Sequence, residues 1–172
     1  MTEVVFRGGT ILTIDGAHNV LGGDVGVRDG SIVQVGGAYT PSTHDYEIVD
    51  CTGCVVMPGM VQAHVHTCQT LARGRADDLE LLDWLRQVIW PYEGKLDEAA
   101  ARASGELACA ELLLGGTTAI LDMATVHHTE QFFGAAERSG LRATIGKAMM
   151  DMPDPQIPPG LRESTKDSLD QS

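Results

Sequence analysis

Basic residues are scarce. Twelve Lys and Arg stand against 24 Asp and Glu, a formal net charge of −12. A surface that neutralises phosphates needs clustered Lys and Arg, and no such cluster is present, so nucleic-acid binding is excluded as the main activity. Long apolar runs are absent too: none approaches the roughly 18 uninterrupted apolar residues of a transmembrane helix. The opening "MTEVVFRGG" lacks the charged segment and apolar core of a signal peptide. These absences predict a soluble, cytoplasmic protein with neither a membrane nor a nucleic acid as partner. The four cysteines, Cys51, Cys54, Cys68 and Cys109, are too few for a disulfide scaffold in a chain this long. Cys51 and Cys54 form a CxxC, but the second CxxC of a zinc ribbon is missing. Thr52-Gly53 instead predicts a tight turn between two strands.

What is present falls into two textures. Residues 1–57 read as short strands of a small β-meander or sandwich. "EVVFRGGTILTI" is β-branched and interrupted by Gly8-Gly9. "DVGVRDGSIVQVGG" alternates around Asp29-Gly30, a hairpin signature. "YEIVDCTGCVVMP" supplies two more strands. From residue 58 to 172, strand and helix alternate as in a parallel α/β fold. "MVQAHVH" is a strand. "DDLELLDWLRQVIWP" predicts a helix, with Asp77 and Asp78 near its start and Pro91 as its terminator. A second helix opens at Asp97 and closes at Gly115-Gly116. "TTAILDM" is a strand, "TEQFFGAAERSG" a helix ending at Gly140, and "LRATIGKAMM" a further strand. "STKDSLDQS" opens like a helix capped by Ser164. Three such strands cannot close a barrel, for which roughly 250 residues are usual. The expectation is therefore the N-terminal portion of a longer (β/α)8 protein. No internal repeat is evident.

The chemistry concentrates in "VMPGMVQAHVHTCQT" (Val56–Thr70). Side chains alternate along a strand, so His64 and His66 share a face and Val65 takes the other. They lie at the C-terminal end of the first α/β strand, the end that carries active sites in parallel barrels. Two imidazoles at this spacing can offer nitrogens to one metal ion, whereas a buried pair without a metal needs other polar partners. His64 and His66 are the candidate metal ligands.

The longer run "VMPGMVQAHVHTCQTLARGRADDLELLDWLRQVIWPYE" resembles the opening of the barrel in the amidohydrolase superfamily. It is most similar to the aminohydrolase branch that includes 5'-deoxyadenosine, S-adenosylhomocysteine and 5'-methylthioadenosine deaminases. Guanine deaminases and triazine chlorohydrolases are related members. The resemblance covers the whole chain. Residues 1–57 are similar to strands of that family's composite β-sandwich. "GGTTAILDM" and "LRATIGKAMMD" resemble the second and third barrel strands. The implied fold is α/β, the start of a metal-dependent hydrolase (β/α)8 TIM barrel truncated after about three strands.

The resemblance implies a hydrolase acting on carbon–nitrogen bonds in cyclic amidines. In such an enzyme His64 and His66 hold one divalent metal, zinc first and iron as the alternative. The metal lowers the pKa of a water, and the resulting hydroxide attacks the carbon bearing the amino group. The remaining His ligands and the Glu and Asp that move protons are expected beyond Ser172, which would leave these 172 residues inactive alone. Lys147 is on the third strand, so the carboxylated-lysine role of binuclear relatives is not assigned to it. Glu93 matches a carboxylate that accepts from ribose hydroxyls; its alternative is a solvated Glu after a helix-ending proline. Trp84 matches a pocket tryptophan or is ordinary core. Gln69 stands at the spacing of a base-reading glutamine in guanine deaminases. Lys147 matches a substrate-contacting arginine or is a structural lysine. His127 and His128 follow the second strand, where solvated polar residues are routine. Cys68 is near the pair, and its default role is buried packing.

The implied substrate is a small purine nucleoside, and the full-length enzyme is expected to be a homo-oligomer. Guanine deaminase and triazine hydrolase remain the sister readings. A non-catalytic fragment or scaffold is the alternative from another class.

Overall fold

A computed structural model of the protein describes residues 2–172. The chain divides into two compact units, one ending at Pro58 and the other running Gly59–Ser172.

The N-terminal unit is one mixed sheet built around β1 (Glu3–Leu12). β2 (Val20–Arg28) pairs with it antiparallel, and β3 (Ser31–Val35) extends β2. On the other side β1 takes two parallel partners, β4 (Tyr46–Asp50) and β5 (Val55–Val56). Gly8-Gly9 does not end β1 as its composition suggests. The register slips between Phe6 and Gly9, where Arg7 and Gly8 together face Asp24, so the slip is a bulge inside one continuous strand. Asp29 and Gly30 have φ of 50° and 76°, the left-handed pair that a two-residue hairpin needs. The CxxC is a turn: the Cys54 N–H donates to the Cys51 carbonyl at 2.8 Å, the Asp50 carboxylate accepts from Thr52 N–H at 2.9 Å, and both thiols are free. Glu3 is buried, and it ties the first strand to the loop before β4. It accepts from Tyr39 Oη at 2.5 Å and from the Ser42 and Thr43 N–H groups at 3.0 and 3.1 Å.

The second unit holds three parallel strands in the order β6 (Met60–Val65), β7 (Thr117–Met123), β8 (Arg142–Gly146). β6 and β8 each have one neighbour, so among the described residues the sheet is open and no barrel closes. After β6 a 3₁₀ helix (Thr67–Ala72) leads to a helical stretch that is not the single helix its periodicity predicts. It runs α1 (Leu81–Trp84), a π-helical turn (Leu85–Ile89) and α2 (Trp90–Glu93). Pro91 does not terminate it. Proline lacks an N–H and crowds the carbonyl four residues earlier; the wider π turn just before it accommodates both defects, and the chain stays helical to Glu93.

α3 (Glu98–Leu114) then carries the chain back to β7, capped by the Asp97 carboxylate, which accepts from Ala100 N–H at 2.8 Å. α4 (Thr129–Ser139) joins β7 to β8 and ends at Gly140, whose φ is 74°. The buried face of α3 is small (Ala101, Ser104, Gly105, Ala108), which lets Phe132 of α4 lie against it. Two apolar clusters fill the helix–sheet layer. One joins Cys68, Ala101, Ala124 and Phe132; the other joins Cys109, Ile120, Ala135 and Leu141, with Val65 packed on it. The last helix, α5 (Thr165–Asp170), starts at Ser164, whose hydroxyl accepts from Asp167 N–H at 3.0 Å.

Candidate metal centre

The histidine pair owes its direction to a bulge. Gln62 stands opposite Ile120 and Val65 opposite Asp122, so Ala63 and His64 together face Leu121 alone. Strict alternation from Gln62, opposite the buried Ile120, would send both histidines into the helix layer. The extra residue places Val65 there instead, against the cluster of Cys109, Ile120, Ala135 and Leu141. It turns His64 and His66 to the opposite face, where Ala63, His64, Leu121, Met123 and Thr144 line an open cleft of about 360 Å³.

The two Nε2 atoms are 3.1 Å apart, and the rings stand nearly perpendicular at 86°. His66 Nδ1 lies 2.9 Å from the Met123 carbonyl oxygen. A carbonyl only accepts, so that nitrogen carries the proton and Nε2 presents its lone pair. Two nitrogens held on a tetrahedral ion at about 2.0–2.1 Å are separated by about 3.3 Å. The pair therefore fits one divalent metal, with His64 moving its proton to Nδ1 to bind. Among the described residues no third His, Cys, Asp or Glu completes a cluster around it.

Behind the pair sits Asp122, which is 1% exposed. Its two oxygens accept from the Thr67 N–H at 3.0 Å and from the Thr67 hydroxyl. Burial pushes its carboxyl above the ordinary value, against the pull of those two donors. The Thr67 carbonyl is held in turn by the Ser104 hydroxyl at 2.7 Å and the Thr70 hydroxyl at 3.0 Å.

Glu93 ends α2 half-buried, bound to the segments that follow β6 and β7. Gln69 Nε2 donates to one oxygen at 2.9 Å and the Thr125 hydroxyl to the other at 2.7 Å. The Cys68 thiol adds a long contact at 3.6 Å. Burial pushes that thiol far up, so it is a neutral packing group, not a thiolate. Neighbouring Tyr92 donates to the Cys68 carbonyl at 3.0 Å.

The structure thus joins Gln69 to Glu93 and His64 to His66. Trp84 is half-buried at the end of α1 and has no polar tie to either group. Lys147, read as a substrate contact or a structural lysine, is tied within its own unit. Its ammonium is buried and donates to both oxygens of Glu163, at 2.9 and 2.7 Å, and to the Ala148 carbonyl at 3.1 Å. Glu163 also accepts from Met150 N–H at 2.8 Å and the Ser168 hydroxyl at 2.9 Å. His128 occupies the position before α4 with φ of 61°, 3.9 Å from Glu130. Asp122, Thr67 and Thr125 escaped the reading of the sequence. A lone Asp inside the apolar run "TTAILDM" was the available signal.

The second unit is thus an α/β fold, an open parallel sheet with helices between its strands, and it carries an imidazole pair where its first strand ends. Residues 55–172 match the model of the amidohydrolase family, and the chain belongs to that family. A 5-methylthioadenosine/S-adenosylhomocysteine deaminase of Syntrophobacter fumaroxidans is 38% identical in an alignment 166 residues long that covers 93% of this chain and 37% of that protein. A 5'-deoxyadenosine deaminase of Methanosarcina mazei is 36% identical over 153 residues, 88% of this chain and 34% of that protein. The chain spans just over a third of the length of these curated relatives. Among solved structures, guanine deaminase from C. acetobutylicum with bound guanine superposes with a TM-score of 0.84 at 28% identity, covering 98% of this chain and 41% of that one. Atrazine chlorohydrolase from Arthrobacter aurescens TC1, complexed with zinc, shares the fold with a TM-score of 0.83 at 22% identity, covering 99% and 41%. No helix of the described residues is long and apolar enough to cross a membrane.

Proposed function

We propose that this chain forms the first part of a metal-dependent deaminase that releases ammonia from an adenosine-type nucleoside. The observation that carries the proposal is the convergence of the two Nε2 atoms at 3.1 Å, with His66 fixed through its other nitrogen. The relatives named as 5'-deoxyadenosine and 5-methylthioadenosine/S-adenosylhomocysteine deaminases support the substrate class. Residues 58–172 are proposed as the opening of a (β/α)8 barrel, and residues 1–57 as part of its companion β-sandwich. The apolar, exposed Val61, Leu121 and Met123 support this, because further strands would cover them.

His64 and His66 hold the divalent metal, with zinc the proposed ion. When bound, it supplies a water activated as nucleophile at neutral pH. The Met123 carbonyl keeps the His66 ring oriented. Glu93 binds the substrate: Gln69 and Thr125 hold its carboxylate, and its remaining lone pairs accept from vicinal ribose hydroxyls. Gln69, with its amide donating to Glu93, acts on the substrate through that carboxylate. Trp84 is a wall of the nucleoside pocket, and Lys147 braces the segment after β8 through Glu163. The groups that would protonate the leaving ammonia are expected beyond Ser172.

The test is ammonia release by the protein encoded when the reading frame is followed past Ser172, with 5'-deoxyadenosine, S-adenosylhomocysteine, 5'-methylthioadenosine and guanine as substrates. Release from the nucleosides is expected. Release from guanine alone would move the assignment to the guanine-deaminase reading. A frame that ends at Ser172, with no metal uptake, would leave the non-catalytic fragment. Glu93→Gln is expected to raise KM for 5'-deoxyadenosine about tenfold or more, the loss of one charge-assisted hydrogen bond of roughly 1.5–3 kcal/mol. An unchanged KM would remove Glu93 from the ribose.

A further inference from the structure

We propose that Asp122 is a positioning residue for the imidazole pair: its buried carboxylate, fastened to Thr67, fixes His66 for a divalent cation and supplies a negative charge behind it. The proposal rests on the metal reading given above. Three observations carry it.

Thr67 directly follows His66, and side chains of three elements fasten it. Asp122 of β7 takes its N–H and hydroxyl, while Ser104 of α3 and Thr70 of the 3₁₀ helix take its carbonyl. Met123, the residue after Asp122, holds the His66 ring through its carbonyl. Two consecutive residues of β7 therefore fix both the backbone beyond His66 and the ring itself. They act directly after Val65↔Asp122, the pairing that restores register beyond the bulge. A strand that slipped by one residue would turn the imidazoles away from the cleft; the clamp at Thr67 opposes that slip.

The third observation is the choice of residue. Asp122 is fully buried, and its bonding partner is the neutral Thr67. Burying a carboxylate without a cation is costly, and asparagine could accept the Thr67 N–H without the charge. A carboxylate accepts on both oxygens and, one residue behind the ligand, offsets the charge of a bound dication. Such outer groups set metal affinity.

The test is a titration of the chain with Co²⁺, followed by visible absorption and calorimetry, alongside thermal unfolding. Asp122→Asn is expected to weaken Co²⁺ binding about 10–100-fold in protein that remains folded. Thr67→Val is expected to weaken it in the same direction, and Thr67→Ser, which keeps the hydroxyl, to retain wild-type affinity. If Asp122→Asn does not fold, the Thr67 pair decides. Variants that lose thermal stability yet bind Co²⁺ with wild-type affinity would overturn the proposal and leave the metal reading standing. A wild-type chain that takes up no Co²⁺ would overturn both.

Discussion

Lys147→Met is expected to destabilise the Gly59–Ser172 unit by about 3 kcal/mol, the lower end of the range for removing one member of a buried ion pair. The Lys147 and Glu163 side chains are only 5% and 3% exposed, at 2.7 Å. Without the ammonium, the Glu163 carboxylate keeps the Met150 N–H and the Ser168 hydroxyl as donors, so part of its loss is offset. Removing the second charge as well, in Lys147→Met/Glu163→Gln, leaves an amide oxygen for those donors and is expected to recover most of the loss. Both tryptophans, Trp84 and Trp90, lie in this unit, and Trp90 packs on the Val126, Ile157 and Leu161 cluster beside the braced segment. Tryptophan fluorescence in urea therefore reports the unit directly. With a slope of about 2 kcal/mol/M, the midpoint is expected to fall by about 1.5 M. A single variant within about 0.5 kcal/mol of wild type would refute the reasoning, since only a solvated pair is worth so little.

Two further outcomes follow from the packing and the charges. Phe132→Ala, at a side chain 1% exposed between α3 and α4, is expected to cost about 3–5 kcal/mol by the same fluorescence assay. Glu3 is held down to about 2, first by the Tyr39 hydroxyl and, against the opposing effect of burial, by Ser42 and Thr43. A carboxyl with a depressed folded pKa contributes stability that is present above its unfolded value and lost as pH falls toward the folded one. The N-terminal unit is thus expected to lose stability between about pH 4.5 and pH 2, and Glu3→Gln to remove that dependence. A carbon-13 titration of Glu3 with a midpoint above pH 4 would contradict this.

Much of this architecture is written in local chemistry. Asp29-Gly30, Asp97, Gly140 and Ser164 each mark an element boundary because the backbone there needs that residue type. The spacing of His64 and His66 also fixes their common face relative to Val65. The bulge at Ala63 and His64 is not legible, because it depends on the register against β7, a pairing made more than fifty residues away. Pro91 misleads for a different reason: a proline reads as a stop unless the preceding turn widens, as it does in the π turn Leu85–Ile89. Lys147 looks free in sequence because its partner, Glu163, comes sixteen residues later. Asp122 and Thr67 are likewise joined across 55 residues.

The most direct test of the central claim is X-ray absorption at the zinc edge of the zinc-loaded chain. The imidazole pair predicts two nitrogen scatterers at about 2.0–2.1 Å, with the outer-ring scattering of histidine, both lost in His64→Ala/His66→Ala. A shell with sulfur at about 2.3 Å, or one unchanged when both histidines are removed, would contradict it.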